Sequence, residues 1–437
     1  MQQFEGRRSL GDKDDLQDQP CGKVPYELWL KLFGLIDNSL IDKVRDAANK
    51  GVSLETLTNP SAPSNKPSSE KTSLKRLTIL TILTLVLVKR AFTMVNPNLM
   101  INTYLGDVTG YWLNTTVYFQ FPLFVYILTA LFTMRRFVSH EKDLKCFIPF
   151  APIPEIPIPC QCYKKIRYKT RIRFMTLAVV VIVLTLSLYP AYPTIKTIYF
   201  DPNPFIEYRI LILVWVIIDC FANLLALGII SFSLLYFDCV CLVIGNKFRS
   251  VEDIIDETAL RCLKKRKEPQ IFSSLTELFN TYLDVNDICT DSDSFWGKVA
   301  FYIIFCNTAL FLFVTYSFIY GENNSNLKIY YIMVWSNSLF VLYKICQSCY
   351  DVSYASAKRG YDNLSKINEF EASKIVMMKI LAFRRYMDSE SIGYSGIYTK
   401  ITYETLFSWM FLIASLFLII MDFANGTLPT GLSMKYL

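Results

Sequence analysis

Seven long apolar blocks interrupt the chain, and no other feature constrains its fold more. They are Leu77 to Val95, Tyr111 to Met134, Phe174 to Tyr192, Ile210 to Gly245, Val299 to Tyr320, Ile329 to Ile345 and Tyr403 to Phe423. At about 1.5 Å of rise per residue, a helix of about 20 residues matches the roughly 30 Å hydrocarbon core of a bilayer. The residues are 52% apolar and only 19% charged, against about 25% charged in soluble domains. The blocks lack strand alternation. Together these features predict an all-α membrane protein with seven transmembrane helices. The fourth block would reach roughly 54 Å as a helix, too long for one crossing, so it is expected to project beyond the membrane.

Basic residues set the orientation. Of 45 Lys and Arg, the segments 1–76, 135–173, 246–298 and 344–400 hold all but a few. The segments 96–110, 193–209, 321–328 and 424–437 hold almost none. The bias predicts a cytosolic N-terminus and an extracellular C-terminus. The opening MQQFEGRRSLGDKDD has no apolar core, so the first block is expected to act as the membrane signal. Three N-x-Ser/Thr sequons, at Asn114, Asn323 and Asn425, fall at or near the outer surface and are candidate glycosylation sites. The sequon at Asn363 falls inside and should stay bare.

The domain organisation follows. Residues 1–76 form a cytosolic segment with a linker at Asn59 to Ser73. Its one amphipathic stretch, Tyr26 to Val44, repeats Leu28, Leu32, Leu35, Ile36 and Leu40 at helical spacing, and would pack on the bundle or lie on the membrane. Residues 77–423 form the transmembrane domain, with cytosolic extensions at 246–298 and 344–400. A short extracellular tail, 424–437, follows.

The sequence also excludes functions. There is one histidine, His140, so His-based catalysis and a His-rich metal site are not expected. There are no paired intramembrane carboxylates and no nucleotide loop. No enzyme activity, cofactor or nucleic-acid partner is implied. The twelve cysteines avoid the outer loops, so reduced thiols are expected in place of disulfides, including at Cys160, Cys162, Cys346 and Cys349. Asp219 stands within the fourth block, where a carboxylate costs a few kcal/mol unless paired or hydrated. It would take a ligand's ammonium or hydroxyls, or pair with Lys89 or Arg90 of the first block. Asp238 lies near that block's inner end. The basic run Arg261 to Lys267 would meet anionic lipid or form a solvated face.

A cytosolic N-terminus is the inverse of a G-protein-coupled receptor, and no Asn-Pro-x-x-Tyr marks the last block. The layout resembles the invertebrate gustatory receptors and their gustatory-receptor-like relatives over roughly residues 75 to 425. That family ends in Thr-Tyr, five hydrophobics and Gln-Phe. The matching nine here are Ser415, Leu416, Phe417, Leu418, Ile419, Ile420, Met421, Asp422 and Phe423. The apolar run and Phe423 match, while Leu416 and Asp422 depart. The stretch before the fifth helix and the charged segment through Ile392-Gly393 also fit.

The resemblance implies a stimulus-gated, non-selective cation channel at the plasma membrane of sensory neurons. It implies a homotetramer or a hetero-oligomer with related receptors, with the second part of helix seven lining the pore. By position the gate falls on Ile419 and Phe423, four apart on one face, with Asp422 beside them. Four copies would form an apolar constriction and a carboxylate ring favouring cations. The alternative is that these residues pack or face lipid. The stimulus site would lie in the outer halves of helices two to six, with candidates Tyr118, Gln120, Tyr189, Trp215, Asp219, Tyr316, Tyr331 and Trp335. Other readings are a light- or hydrogen peroxide-responsive receptor of the same fold, and a transporter or scaffold.

Overall fold

The computed structural model describes residues 26–36, 69–111, 113, 117–139, 166–200, 207–263, 268–320, 324–367, 374–389, 392–396 and 400–424. Among them the chain is helical. The elements are α1 (Glu27–Leu32), α2 (Ser69–Val95), α3 (Leu99–Tyr104), α4 (Val117–Ser139), α5 (Ile166–Leu188), α6 (Ala191–Phe200), α7 (Arg209–Leu263), α8 (Glu268–Tyr320), α9 (Ser325–Ile367), α10 (Lys374–Ser389) and α11 (Tyr403–Ala424). Six stretches are long and apolar enough to span a membrane: Leu74–Val95, Val117–Ser139, Arg173–Tyr199, Arg209–Glu252, Leu275–Ile319 and Ser325–Ser356. The helix α11 adds 22 residues, about 33 Å of rise.

The helix α7 is the centre. It runs 55 residues without a proline, as its overlong apolar block predicts, and packs against α9, α4, α8, α5 and α2. The core is continuous along it, from Ala222 through Phe232 and Val240 to Ile255. Helices α8 and α9 are also long, at 53 and 43 residues, so the three continue together past the bilayer's thickness, and α10 packs on α9 and α8.

Two local features depart from the sequence reading. The third block is α5, and a second helix, α6, runs on into the expected outer loop 193–209. Pro190 sits in the break between α5 and α6, where its missing N–H and ring end the first helix. The supposed outer loop 96–110 holds α3, whose N-cap Asn98 accepts hydrogen bonds from the amides of Met100 and Ile101 at 3.0 and 3.3 Å, as an N-cap should.

The N-terminal stretch packs on the bundle, one of the two arrangements expected, but buries only Leu35 and Ile36 of its predicted stripe among the described residues. Leu28 and Leu32 are exposed at 74% and 51%, while Leu30, Phe33, Leu35 and Ile36 are buried. The helix lasts only six residues before Gly34 turns the chain at φ +69, so no long stripe can run through it. Leu40 lies outside the described residues. Trp29 stacks on Phe232 of α7 at 4.7 Å, and Phe33 stacks on it at 5.5 Å. Arg76 of α2 donates to the carbonyls of Gly34 and Leu35 at 2.8 and 3.4 Å, closing the end of the turn. A methyl group at Gly228 of α7 would collide with the Phe33 ring. The substitution Gly228→Ala is therefore expected to dislodge residues 26–36 and destabilise the fold by about 1–3 kcal/mol, read as faster proteolysis near Phe33 and a lower unfolding temperature in detergent.

Candidate functional site

Asp219 is not vacant. Lys89 of α2 reaches its Oδ2 at 2.5 Å, and Arg90 Nη2 stands 3.6 Å from Oδ1. The indole of Trp215, one turn earlier on α7, lies under the Lys89 ammonium at 4.7 Å, where its π face attracts a cation. Arg90 donates from Nη1 to Gln120 of α4, and from Nη2 to Asn223 of α7 at 3.3 Å. Both basic side chains are buried. Inside the bundle, side-chain partners take the place of water around them. Arg90 Nε, by contrast, is buried with no hydrogen-bond partner. One polar cluster thus joins α2, α4 and α7. Asn223 is a member the sequence reading missed, although its place four residues after Asp219 put it on the same helix face.

The other pocket candidates form a second cluster. Tyr331 of α9 donates to the carbonyl of Tyr118 on α4 at 2.9 Å, and Tyr189 donates to the carbonyl of Asn326 at 3.0 Å. Between them sits Tyr330, its ring against Phe119 at 5.2 Å, Tyr189 at 6.3 Å and Tyr331 at 6.2 Å. Its hydroxyl is buried without a hydrogen-bond partner. Tyr330 is the second missed residue. The neighbouring Tyr331 hid it, because periodicity alone does not say which of two adjacent tyrosines points inward. Deeper, Asn337 donates to the Tyr126 hydroxyl at 3.1 Å. Trp335 stands apart, 39% exposed and stacked on Phe311 at 5.5 Å. Tyr316 is half-buried on α8. The structure thus unites Trp215, Asp219 and Gln120 in one cluster and Tyr118, Tyr189 and Tyr331 in another, and leaves Trp335 outside both.

The base of α11 is tightly built. Thr402 and Thr405 cap each other's amides, Thr402 N donating at 2.8 Å and Thr405 N at 3.2 Å. Ile401 and Leu406 are buried, and Trp409 meets Phe301 of α8 edge-on at 5.4 Å. A small pocket beneath is lined by Ile304, Cys346, Thr402, Thr405, Leu406 and Trp409. Higher up, Phe407, Phe411, Leu412 and Leu418 are exposed, and the main neighbours of α11 are α8 and α9 alone. The side chains of Ile419, Asp422 and Phe423 lie outside the described residues, as do Asn114, Asn323, Asn425, Cys160, Cys162 and His140. Of the described cysteines, seven are free, Cys346 and Cys349 among them, both buried within α9.

The ion pair yields a stability test. Replacing Lys89 with Met strands Asp219 beside Arg90 alone, and is expected to cost about 3–5 kcal/mol. Adding Asp219→Leu should recover most of that loss, because a buried pair is worth little against apolar residues of similar size. Unfolding in detergent across the four-member cycle checks both expectations.

No protein-family model and no curated protein matches the sequence. Among solved structures, an insect olfactory receptor from Machilis hrabei matches with a TM-score of 0.61 at 12% identity, over 83% of this chain and 92% of that one. At that identity the likeness is one of fold, and the protein is built on the helical architecture of an insect chemoreceptor.

Proposed function

We propose that the protein is a stimulus-gated, non-selective cation channel of the gustatory-receptor type, in which α11 lines a pore at the centre of four copies. The observation that carries this reading is the packing of α11. It is the most apolar of the long helices, yet it touches its own bundle along one side and presents Phe407, Phe411, Leu412 and Leu418 outward. A span so sparsely supported by its own chain suits packing against copies of itself. The shared fold with an olfactory receptor adds support.

In this reading α11 is the seventh span, the N-terminus is cytosolic and the C-terminus extracellular. The basic side chains Arg76, Arg136 and Lys247 stand where α2 begins, α4 ends and α7 leaves the membrane. This suits one cytosolic face. Residues 246–298 and 344–400 are the cytosolic extensions, 1–76 the cytosolic segment and 424–437 the outer tail. Ile419 and Phe423 form the constriction, and Asp422 forms the carboxylate ring. The stimulus is a small molecule received among the outer clusters. Because Lys89 occupies Asp219, a cationic ligand gains little there unless it displaces that lysine. The tyrosine cluster, with the free Tyr330 hydroxyl, suits a neutral, hydrogen-bonding ligand better. Asn323 and Asn425 are the outermost glycosylation candidates, with Asn114 closer to the membrane. The site of action is the plasma membrane of sensory neurons.

The test is current from the purified protein in lipid, with sucrose, phenethylamine and quinine as probes. Stimulus-evoked cation current is expected. An assembled, lipid-embedded tetramer with neither basal nor evoked current overturns the reading. Asp422→Asn is expected to lower the cation-to-anion permeability ratio by about threefold or more, the effect of removing a charged ring. An unchanged ratio removes Asp422 from the pore.

A further inference from the structure

One carboxylate takes both polar donors of Ser395 in the segment that launches α11. Ser395 is bridged to Lys400 in antiparallel fashion, and the Ile401 amide donates to the Tyr394 carbonyl at 2.9 Å. Asp293 of α8 takes both donors of Ser395. The backbone amide reaches Oδ1 at 2.8 Å, and the hydroxyl reaches Oδ2. Next to it, the hydroxyls of Ser292 and Tyr394 are 2.8 Å apart. The Tyr394 ring is buried edge-on against Phe237 of α7 at 4.9 Å, and burial holds its hydroxyl well above its ordinary pKa, so it remains a neutral hydrogen-bonding group. Gly297 completes the fit. A methyl group there would collide with both Asp293 Oδ1 and the Ser395 carbonyl.

The same turn of α8 receives the inner end of α4. Arg136 donates to the Ser294 carbonyl at 2.7 Å. Phe137 meets Phe295 and Trp296 edge-on at 5.1 and 5.6 Å. Helix α4 also carries Tyr118 and Gln120, one from each outer cluster. One helix, with Pro122 in its second turn, therefore joins the outer clusters to residues 294–296, and Asp293 joins that turn to the start of α11.

We propose that the Asp293 carboxylate is the joint through which movement of α4 and α8 sets the position of α11, making Asp293 and Ser395 positioning residues for the gate. The proposal rests on the channel reading above. It predicts that loosening the joint uncouples α11 from the bundle without touching the pore or the outer clusters.

The experiment pairs a structural readout with a functional one on the full-length protein in lipid. Hydrogen exchange of peptides spanning 392–402 reports the Ser395 amide directly. Single-channel recording in planar bilayers, with and without sucrose, phenethylamine and quinine, reports open probability. Asp293→Ala and Gly297→Ala are expected to speed exchange there by about tenfold or more, the effect of losing a hydrogen bond to a charged group, and to shift open probability severalfold. Asp293→Asn keeps both contacts, its carboxamide oxygen accepting from the amide and its nitrogen donating to the hydroxyl. It should stay near the unmodified protein in both readouts. If the alanine variants at 293 and 297 fail to fold, Ser395→Ala, which removes only the hydroxyl contact, is expected to speed exchange and shift open probability in the same direction. No change in either readout overturns the joint. Faster exchange with unchanged open probability overturns the joint while leaving the channel intact. Unchanged exchange in Asp293→Ala overturns it as well. No openings in any protein, the unmodified one included, overturns the channel reading and this proposal with it.

Discussion

The arrangement of the molecule depends on the contact between α7 and α9. These helices lie together from the membrane into the extension, and their register is pinned by a buried ion pair. Lys344 of α9 stands 2.9 Å from Asp238 of α7, and Ser348, one turn further along α9, donates to the same carboxylate oxygen at 2.7 Å. Slipping either helix by one turn would move these groups about 5.4 Å apart and leave charges stranded in an apolar interior. That penalty is larger than any gain from alternative packing of similar aliphatic surface. The pair thus acts less as a source of stability than as a choice among registers.

Asp219 repeats the device at the other end of the same helix. It lies nineteen residues before Asp238, about 28 Å along α7, close to the thickness of a bilayer core. There the partner is Lys89 of α2. One long helix is therefore fastened at both levels to two others, each time by a lysine whose ammonium has a carboxylate partner inside the protein. The tyrosine cluster ties α4 to α9 at the level of Asp219, and Arg136 ties α4 to α8 at the opposite end of α4. The bundle formed by α2, α4, α7, α8 and α9 is thereby braced top and bottom, which leaves α11 as the long helix with the fewest partners.

How much of this was legible in the sequence differs by scale. The spans were legible because burying about 20 apolar residues in lipid admits one solution, and the overlength of α7 was legible because no proline interrupts it. The break at Pro190 could be placed, but α6 beyond it could not, because its short run also reads as the end of the previous helix. Asp219 stood out as a charge in an apolar block, and Lys89 was one of two named partners. Seeing that Lys89 makes the close contact and Arg90 the longer one took geometry, since both lie about 130 residues from Asp219 and are neighbours in the chain. Asp293 gave no such signal. It stands among other acids in DICTDSDSF, a stretch that reads as solvated surface, and its partner Ser395 follows 102 residues later in a polar linker. In the proposed tetramer, the face of α11 that meets the axis would be set by other copies of the chain, which a single sequence does not encode locally.

That asymmetry of packing gives α11 its mechanical character. Its first turn is held by the threonine cap, by buried Ile401 and Leu406, and by Trp409 against Phe301. Above it, Phe407 and Phe411 are 68% and 78% exposed in the single chain, so few contacts of its own bundle resist a tilt. A rod fixed at one end amplifies rotation. Tilting α11 by about 5° at its base displaces the far end, about 33 Å away, by about 3 Å. In the proposed tetramer, four such helices moving outward together would turn a dry constriction into a wettable one, because an apolar aperture empties or fills over a change of a few ångströms in width. The base therefore needs to be stiff where it is gripped and free to rotate as a unit. Buried Tyr394, Ile401 and Leu406 supply the grip, and the Asp293 carboxylate fixes the orientation of Ser395 before the helix starts.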